Sequence, residues 1–271
     1  MITLKMEKAY ILFVLIALIG CDKKTTDLNP LVASYPMTIG TEWTYERQFI
    51  INKYESITSD VIIKTDTLHF DEKVWIDKDT ILNGTMNVTV FKSREEGYNW
   101  TSTSYKFIDN EGLKTFAYSN AGGPFVFAKK YGYLKSASLL KSIIEHSNHA
   151  GDNITFESKP TLDIKLPLDI NLTWTYRYPT DNKPWQIEKK VLEIENLHLI
   201  NQDFTCYKLE YIFKNESFNY GTKSTDWISD KGLIKRLTIV DRAQLVDDHG
   251  EPTGEFVHST EILILKGIRI K

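Results

Sequence analysis

From Tyr35 onward, apolar and polar residues alternate with a period of two over most of the chain, the pattern of strands with one face buried. Alternating or β-branched runs cover 43–51, 60–70, 74–82, 86–93, 98–108, 113–118 and 125–131. They resume at 172–178, 186–200, 204–214, 217–229, 233–246 and 255–270. The intervals hold turn residues, among them Asn83-Gly84 and Asn110-Glu111-Gly112. Asn-Gly between two such runs predicts a tight hairpin, because both residues accept a left-handed backbone. In the last run Ile262, Leu263, Ile264 and Leu265 are apolar on both faces, which predicts a central or covered strand. One segment has a different period. Over 136–147 the pairs Leu139/Leu140 and Ile143/Ile144 are spaced for a helix, with Ser136 or Ser138 to cap it and Gly151 beyond its end. The expectation is an all-β, mainly antiparallel body with one helix.

The pattern also repeats. Pro36-Met37-Thr38-Ile39-Gly40-Thr41-Glu42-Trp43-Thr44-Tyr45 returns as Pro167-Leu168-Asp169-Ile170-Asn171-Leu172-Thr173-Trp174-Thr175-Tyr176. Gly40 and Asn171 occupy the same place, and these are the two residue types that most readily turn left-handed, so each copy predicts a turn before a strand. Trp and Tyr then share one strand face. A second echo aligns Phe107 to Lys114 with Trp227 to Lys235 on Gly112 and Gly232, each glycine placed to close a hairpin. Duplication accounts for both echoes. It divides the body into a first β repeat, 35–158, with the helix 136–147 near the junction, and a second β repeat, 159–271. A twisted sheet of about a dozen strands curls or splits. The expected architecture is therefore a curved sheet forming an open barrel or a two-sheet sandwich.

Before Tyr35 the chain is organised differently. Lys5 and Lys8 precede an apolar run from Ala9 to Ile19, then Gly20 and Cys21. The run is shorter than the roughly 20 residues a membrane helix needs, and it has the layout of an export signal. Leu18-Ile19-Gly20-Cys21 resembles the lipobox of bacterial lipoproteins. That resemblance implies a signal peptide over 1–20 and lipid on Cys21, with a diacylglyceryl group on its sulfur and an acyl group on its new amine. Several acyl chains anchor a protein durably where one does so marginally. Residues 21–34 are polar and aperiodic, so the lipidated cysteine is expected to continue into a flexible tether. The implied location is the bacterial cell envelope, with inner membrane, outer membrane and cell surface left open.

Charge and candidate chemistry narrow this only a little. The formal net charge of −3 becomes −4 once Lys5, Glu7 and Lys8 leave with the leader, and this argues against a nucleic-acid partner. Lys129-Lys130 and Lys189-Lys190 are isolated pairs in strand-like runs, expected on a solvated face. Cys206 has no intramolecular disulfide partner if Cys21 is lipidated, and is expected as a small buried hydrophobe. His146 and His149 could share one helix face, but spacing places no third ligand, so no metal is expected there. Asp247-Asp248-His249-Gly250-Glu251 lacks the donor spacing of a calcium loop and reads as a turn. No nucleophile elbow, zinc-protease helix motif or phosphate loop occurs in the sequence. No cofactor or catalytic residue is expected. Trp43 and Trp174 with Tyr45 and Tyr176 are expected as core anchors; Trp75, Trp100, Trp185 and Trp227 could share a concave stacking surface.

Taken together, the chain resembles a class of uncharacterised bacterial lipoproteins with a Pro-x-x-x-Gly-x-x-Trp-x-Tyr stretch soon after the tether. Residues 36–45 match it, and 167–176 depart from it only at Asn171. The resemblance implies an all-β envelope protein and brings no activity with it. Half-barrel proteins that carry acyl chains across the envelope are similar in architecture alone. The expected role is non-enzymatic binding of a hydrophobic ligand or an envelope protein partner, with an apolar pocket beneath residues 136–147. A hydrolase of envelope polymers would instead show paired carboxylates or a histidine cluster in a cleft. A structural spacer would show a flat apolar patch and no cavity.

Overall fold

The structure, a computed structural model, describes residues 32–97, 101–119, 154–179, 186–214, 221–246 and 252–271. These form twelve strands: β1 (Glu42–Tyr54), β2 (Ile62–Leu82), β3 (Met86–Glu95), β4 (Ser102–Ile108), β5 (Gly112–Ser119), β6 (Thr155–Lys165), β7 (Thr173–Arg177), β8 (Ile187–Leu199), β9 (Gln202–Phe213), β10 (Lys223–Ser229), β11 (Gly232–Val246) and β12 (Pro252–Arg269). They make one antiparallel sheet in the order β6-β5-β4-β3-β2-β1-β12-β11-β10-β9-β8-β7. Two six-strand meanders are thus joined where β1 pairs with β12, and the free ends β6 and β7 come alongside each other. The sheet is nearly closed into a barrel, which resolves the choice between barrel and sandwich. Near-closure leaves β6 and β7 as the two sheet edges and sets them against each other, which limits their exposure.

The alternation in β1 shows how the sequence builds the wall. Trp43, Tyr45, Arg47, Phe49 and Ile51 are buried, while Glu42, Glu46, Gln48 and Asn52 lie on the other face. A polar outer face is the reverse of the apolar band that a membrane-spanning barrel presents.

Two strands depart from the expected runs. Residues 60–70 and 74–82 form the single strand β2, because Asp71, Glu72 and Lys73 stay paired with β1 on one side and, for Glu72 and Lys73, with β3 on the other. The polar triplet is no turn; Glu72 points inward. Strand β6 was not expected at all, since Pro160 interrupts it. Proline is tolerated at the end strand of a sheet, where it removes no ladder bond, and the ladder to β5 is irregular there. The helix expected over 136–147 and the strand over 125–131 lie outside the described residues, as does the turn at 247–251. Among the described residues there is no helix.

The two lead-ins to β1 and β7 share their geometry. Gly40 and Asn171 both have positive φ, 85° and 65°. Gly40 donates its N–H to the Ile76 carbonyl (2.8 Å) as Asn171 does to Val191 (3.0 Å), and Thr41 bonds back to Thr38 as Leu172 does to Asp169. Ile76 and Val191 return a bond to the carbonyls of Thr41 and Leu172. Pro36 is half-buried; Pro167 is exposed and follows a cis peptide bond. Gly112 and Gly232 each open a strand with positive φ, 138° and 104°, in the β4–β5 and β10–β11 hairpins.

Residues ahead of β1 pack into the body. Val32 is fully buried and accepts a bond from Leu168, so the body begins inside the stretch expected as a tether. Tyr35 and Met37 pack against both main hydrophobic clusters.

Candidate functional site

The inward positions of the barrel are not all apolar. They enclose a cavity of ≈ 190 Å³ whose lining includes Tyr35, Tyr45, Phe91, Tyr176 and Tyr211 alongside Arg47, Glu72, Lys106, Asp163, Lys189, Asp226 and Arg236. Two charged networks occupy different stretches of this wall.

In the first, Arg47 of β1 reaches carboxylates diagonal to it in the ladders, with Glu72 opposite Tyr45, Glu261 opposite Phe49 and Glu95 opposite Glu72. Its Nη2 pairs with Glu72 of β2, its Nη1 with Glu95 of β3, and its Nε faces Glu261 of β12 at 3.1 Å. All four side chains are buried. Burial works against the guanidinium charge, but the three glutamates outweigh it and hold its pKa above the ordinary value.

The second network spans the seam. Asp226 of β10 receives Nε of Arg236 at 2.6 Å, Nη2 of the same residue at 2.9 Å and the Tyr211 hydroxyl at 2.8 Å. Asp163 of β6 is bonded by Lys106, by the Thr115 hydroxyl at 2.6 Å and by Thr161 at 3.1 Å. Lys189 of β8 lies between the two carboxylates: its Nζ donates to the Asp163 carbonyl at 2.8 Å and stands 4.0 Å from Asp226. Its ammonium also sits over the rings of Tyr211 (4.3 Å) and Tyr176 (4.5 Å), contacts that favour its charge. Burial nevertheless lowers its pKa to about 8. Burial alone would raise both aspartates, yet Lys106 and Lys189 around Asp163, and Arg236 beside Asp226, bring each below its usual range. Tyr211 and Tyr45 are pushed well above theirs, chiefly by burial, so both stay neutral hydroxyls.

Side chains, not ladder bonds, hold β6 to the second meander. Trp174 donates its indole N–H to the Leu162 carbonyl (2.9 Å), Arg177 pairs with Glu157 (2.6 Å), and Lys189 adds its bond to Asp163. Trp43 makes the corresponding reach from β1 to the Lys231 carbonyl (2.7 Å), next to Gly232, while Tyr45 bonds the Leu233 carbonyl (2.9 Å). The expected anchors Trp43, Tyr45, Trp174 and Tyr176 are all buried.

Other expectations fare differently. Lys189 is buried in the lumen and not on a solvated face, because its phase in β8 matches Ile187 and Val191, both fully buried. Cys206 is fully buried, with its thiol pushed up to about 12 mainly by burial, as an inert core residue requires. Trp227 is buried, with its N–H given to Glu195 at 2.7 Å and Lys235 Nζ 4.6 Å over its ring, so it offers no open stacking face; Trp75 is half-buried. Trp100, Trp185, His146, His149 and Cys21 lie outside the described residues. Among the described residues no group of three or more His, Cys, Asp or Glu side chains could hold a metal ion.

Sequence reading overlooked the charged lumen, although part of its signal was present. Arg47 falls in phase with Trp43, Tyr45, Phe49 and Ile51, and Lys189 in phase with Ile187 and Val191. A charge at the apolar phase of a strand marks a buried ion.

No family model matches the chain, and no curated protein matches it. Two solved structures are similar. A candidate lipoprotein from Parabacteroides distasonis is 12% identical, with a TM-score of 0.36 over 87% of this chain and 97% of its own. A candidate exported protein with a YmcC-like fold from Bacteroides fragilis is 10% identical, with a TM-score of 0.36 over 88% of this chain and 99% of its own.

Proposed function

We propose that the chain is a lipid-anchored protein of the bacterial cell envelope whose barrel lumen holds a small polar ligand without acting on it chemically. The leader and Cys21 support the anchor. Val32 is docked in the core, so the body starts within roughly 40 Å of a lipidated Cys21, the reach of the chain between them.

The observation that carries the lumen reading is the charged wall itself. Buried ion pairs stabilise a fold no better than well-packed apolar residues of the same size, so stability alone gives no reason to place Arg47, Lys189, Asp226 and their partners inside. A lumen lined by charged groups as well as aromatic and aliphatic ones suits a ligand with a polar group better than the purely hydrophobic one expected from sequence. The pocket expected beneath residues 136–147 lies outside the described residues. Carboxylates do converge in the lumen, as a hydrolase would require, but Glu72, Glu95 and Glu261 each bind Arg47, and Asp163 and Asp226 are held ionised. Each of these carboxylates is engaged by a cation, which favours binding over hydrolysis.

Native mass spectrometry of the full-length protein, released from host membranes in mild detergent, tests both parts. The reading predicts the mass of the acyl additions plus one small non-covalent species; Cys21→Ser loses the first and keeps the second. Protein that carries lipid but only ever flies empty would contradict the lumen reading.

A further inference from the structure

One stretch of the cavity wall carries more positive than negative charge. Lys106, Lys189 and Arg236 face Asp163 and Asp226 there, three cations against two carboxylates. Both carboxylates are ionised, as their lowered pKa values require, and Glu261 of the neighbouring Arg47 cluster also acts on Arg236. Lys189 feels repulsion from both Arg236 and Lys106. A cation inside a protein gains from each further acceptor its uncommitted N–H groups find, and the oxygens of an anion would supply them.

The geometry leaves room for one. The barrel encloses Lys106, Asp163 and Arg236, yet their side chains keep 20%, 14% and 18% of their accessible surface, and all three line the cavity. Arg236 commits Nε and Nη2 to Asp226, and among the described residues no hydrogen bond engages its Nη1. The cavity's ≈ 190 Å³ exceeds many times over the roughly 10–15 Å³ that one water needs, so a small oxyanion fits. The Arg47 stretch of the wall, with three glutamates on one arginine, repels an anion and so directs it toward Lys106 and Arg236.

Building on the ligand reading above, we propose that this part of the lumen is an anion site for one small oxyanion, a carboxylate or phosphate group, held between Lys106 and Arg236 with Lys189 behind them. Arg236 Nη1 and Lys106 Nζ donate to its oxygens in charge-assisted bonds.

The test is calorimetric titration of the full-length, detergent-solubilised protein with sodium acetate, sodium lactate and inorganic phosphate in turn, with sodium chloride at matched ionic strength as the baseline. The proposal expects one-to-one, saturable binding of at least one oxyanion; acetate or lactate against phosphate tells an organic carboxylate from a phosphate source. Lys106→Gln should weaken that binding roughly tenfold or more, through loss of a charged donor. Asp163→Asn should tighten it, because it removes the carboxylate that competes for the same cations. A purely structural role for the network would produce no tightening, so the second variant decides the matter even if the first fails to fold. Absence of saturable binding up to roughly 10 mM overturns the proposal, and so do two folded variants that bind as wild type does, which would show an adventitious ion only. A neutral molecule found in the lumen by mass spectrometry, with no oxyanion bound, sinks the anion site and leaves the binding chamber standing. Empty protein that also ignores every oxyanion sinks both.

Discussion

Lys189 shows what the lumen asks of a single residue. It is buried among Asp163 of β6, Asp226 of β10, Arg236 of β11, Lys106 of β4 and the rings of Tyr176 and Tyr211, and its pKa is lowered from 10.5 to about 8, first by burial. Below pH 8 the ammonium is charged in both folded and unfolded states, and its burial weighs against folding. Between about 8 and 10.5 the folded protein gives up a proton that the unfolded chain keeps, so the unfolded state binds more protons and stability rises with pH. Urea unfolding of wild type and Lys189→Met across this window should show wild type gaining on the variant by an amount on the order of 3 kcal/mol. Both proteins share the tyrosine titrations above pH 10, which cancel in the comparison. A gap between them that does not move with pH would show that Lys189 is not held as described. The inward phase of this lysine is readable from the alternation in β8, but its neighbours are not, because they come from strands whose partners alternation does not name.

At the scale of elements, the lead-ins and hairpins were legible for a local reason. Gly40, Asn171, Asn83 and Gly84 all adopt the positive φ that their residue types invite, and the turn chemistry sits within a few residues of sequence. Ile200 does so too, at 54°, and no sequence rule announces a β-branched residue there. The matching hydrogen bonds at Gly40 and Asn171 support our proposal that the two six-strand meanders descend from one copied unit. The seam was less legible, because side chains distant in sequence hold it. Within the first meander, among the described glycines, the tightest approach is at Gly112 of β5, where a Cβ would lie 2.0 Å from the Ile164 carbonyl oxygen of β6. Gly112→Ala therefore has to push β6 away and should cost roughly 3 kcal/mol in urea unfolding. Gly84→Ala, at a positive φ of 69° with nothing within 4 Å of its Cβ, carries only a backbone cost of about 1 kcal/mol. Equal losses in the two variants would mean that β6 does not pack against Gly112.

For the whole molecule, periodicity showed that the chain is all β and roughly where its strands lie. The pairing of β1 with β12, which turns two meanders into one barrel, joins the first described strand to the last, and local pattern holds no trace of it. The lumen follows from that pairing. Glu261 reaches Arg47 only because β12 lies beside β1, and Lys189 meets Asp163 only because β7 and β8 come round to β6. A closed sheet whose inward positions are partly ionic is a container before it is anything else, and the account stands on the container having contents. The most direct measurement is a crystal structure of the full-length protein taken from its own membranes, with no carboxylate or phosphate in the buffers. The account predicts density larger than water between Lys106, Lys189 and Arg236, in contact with the Arg236 guanidinium. A lumen holding only ordered water, or one in which these side chains close on each other and leave no space, would contradict it.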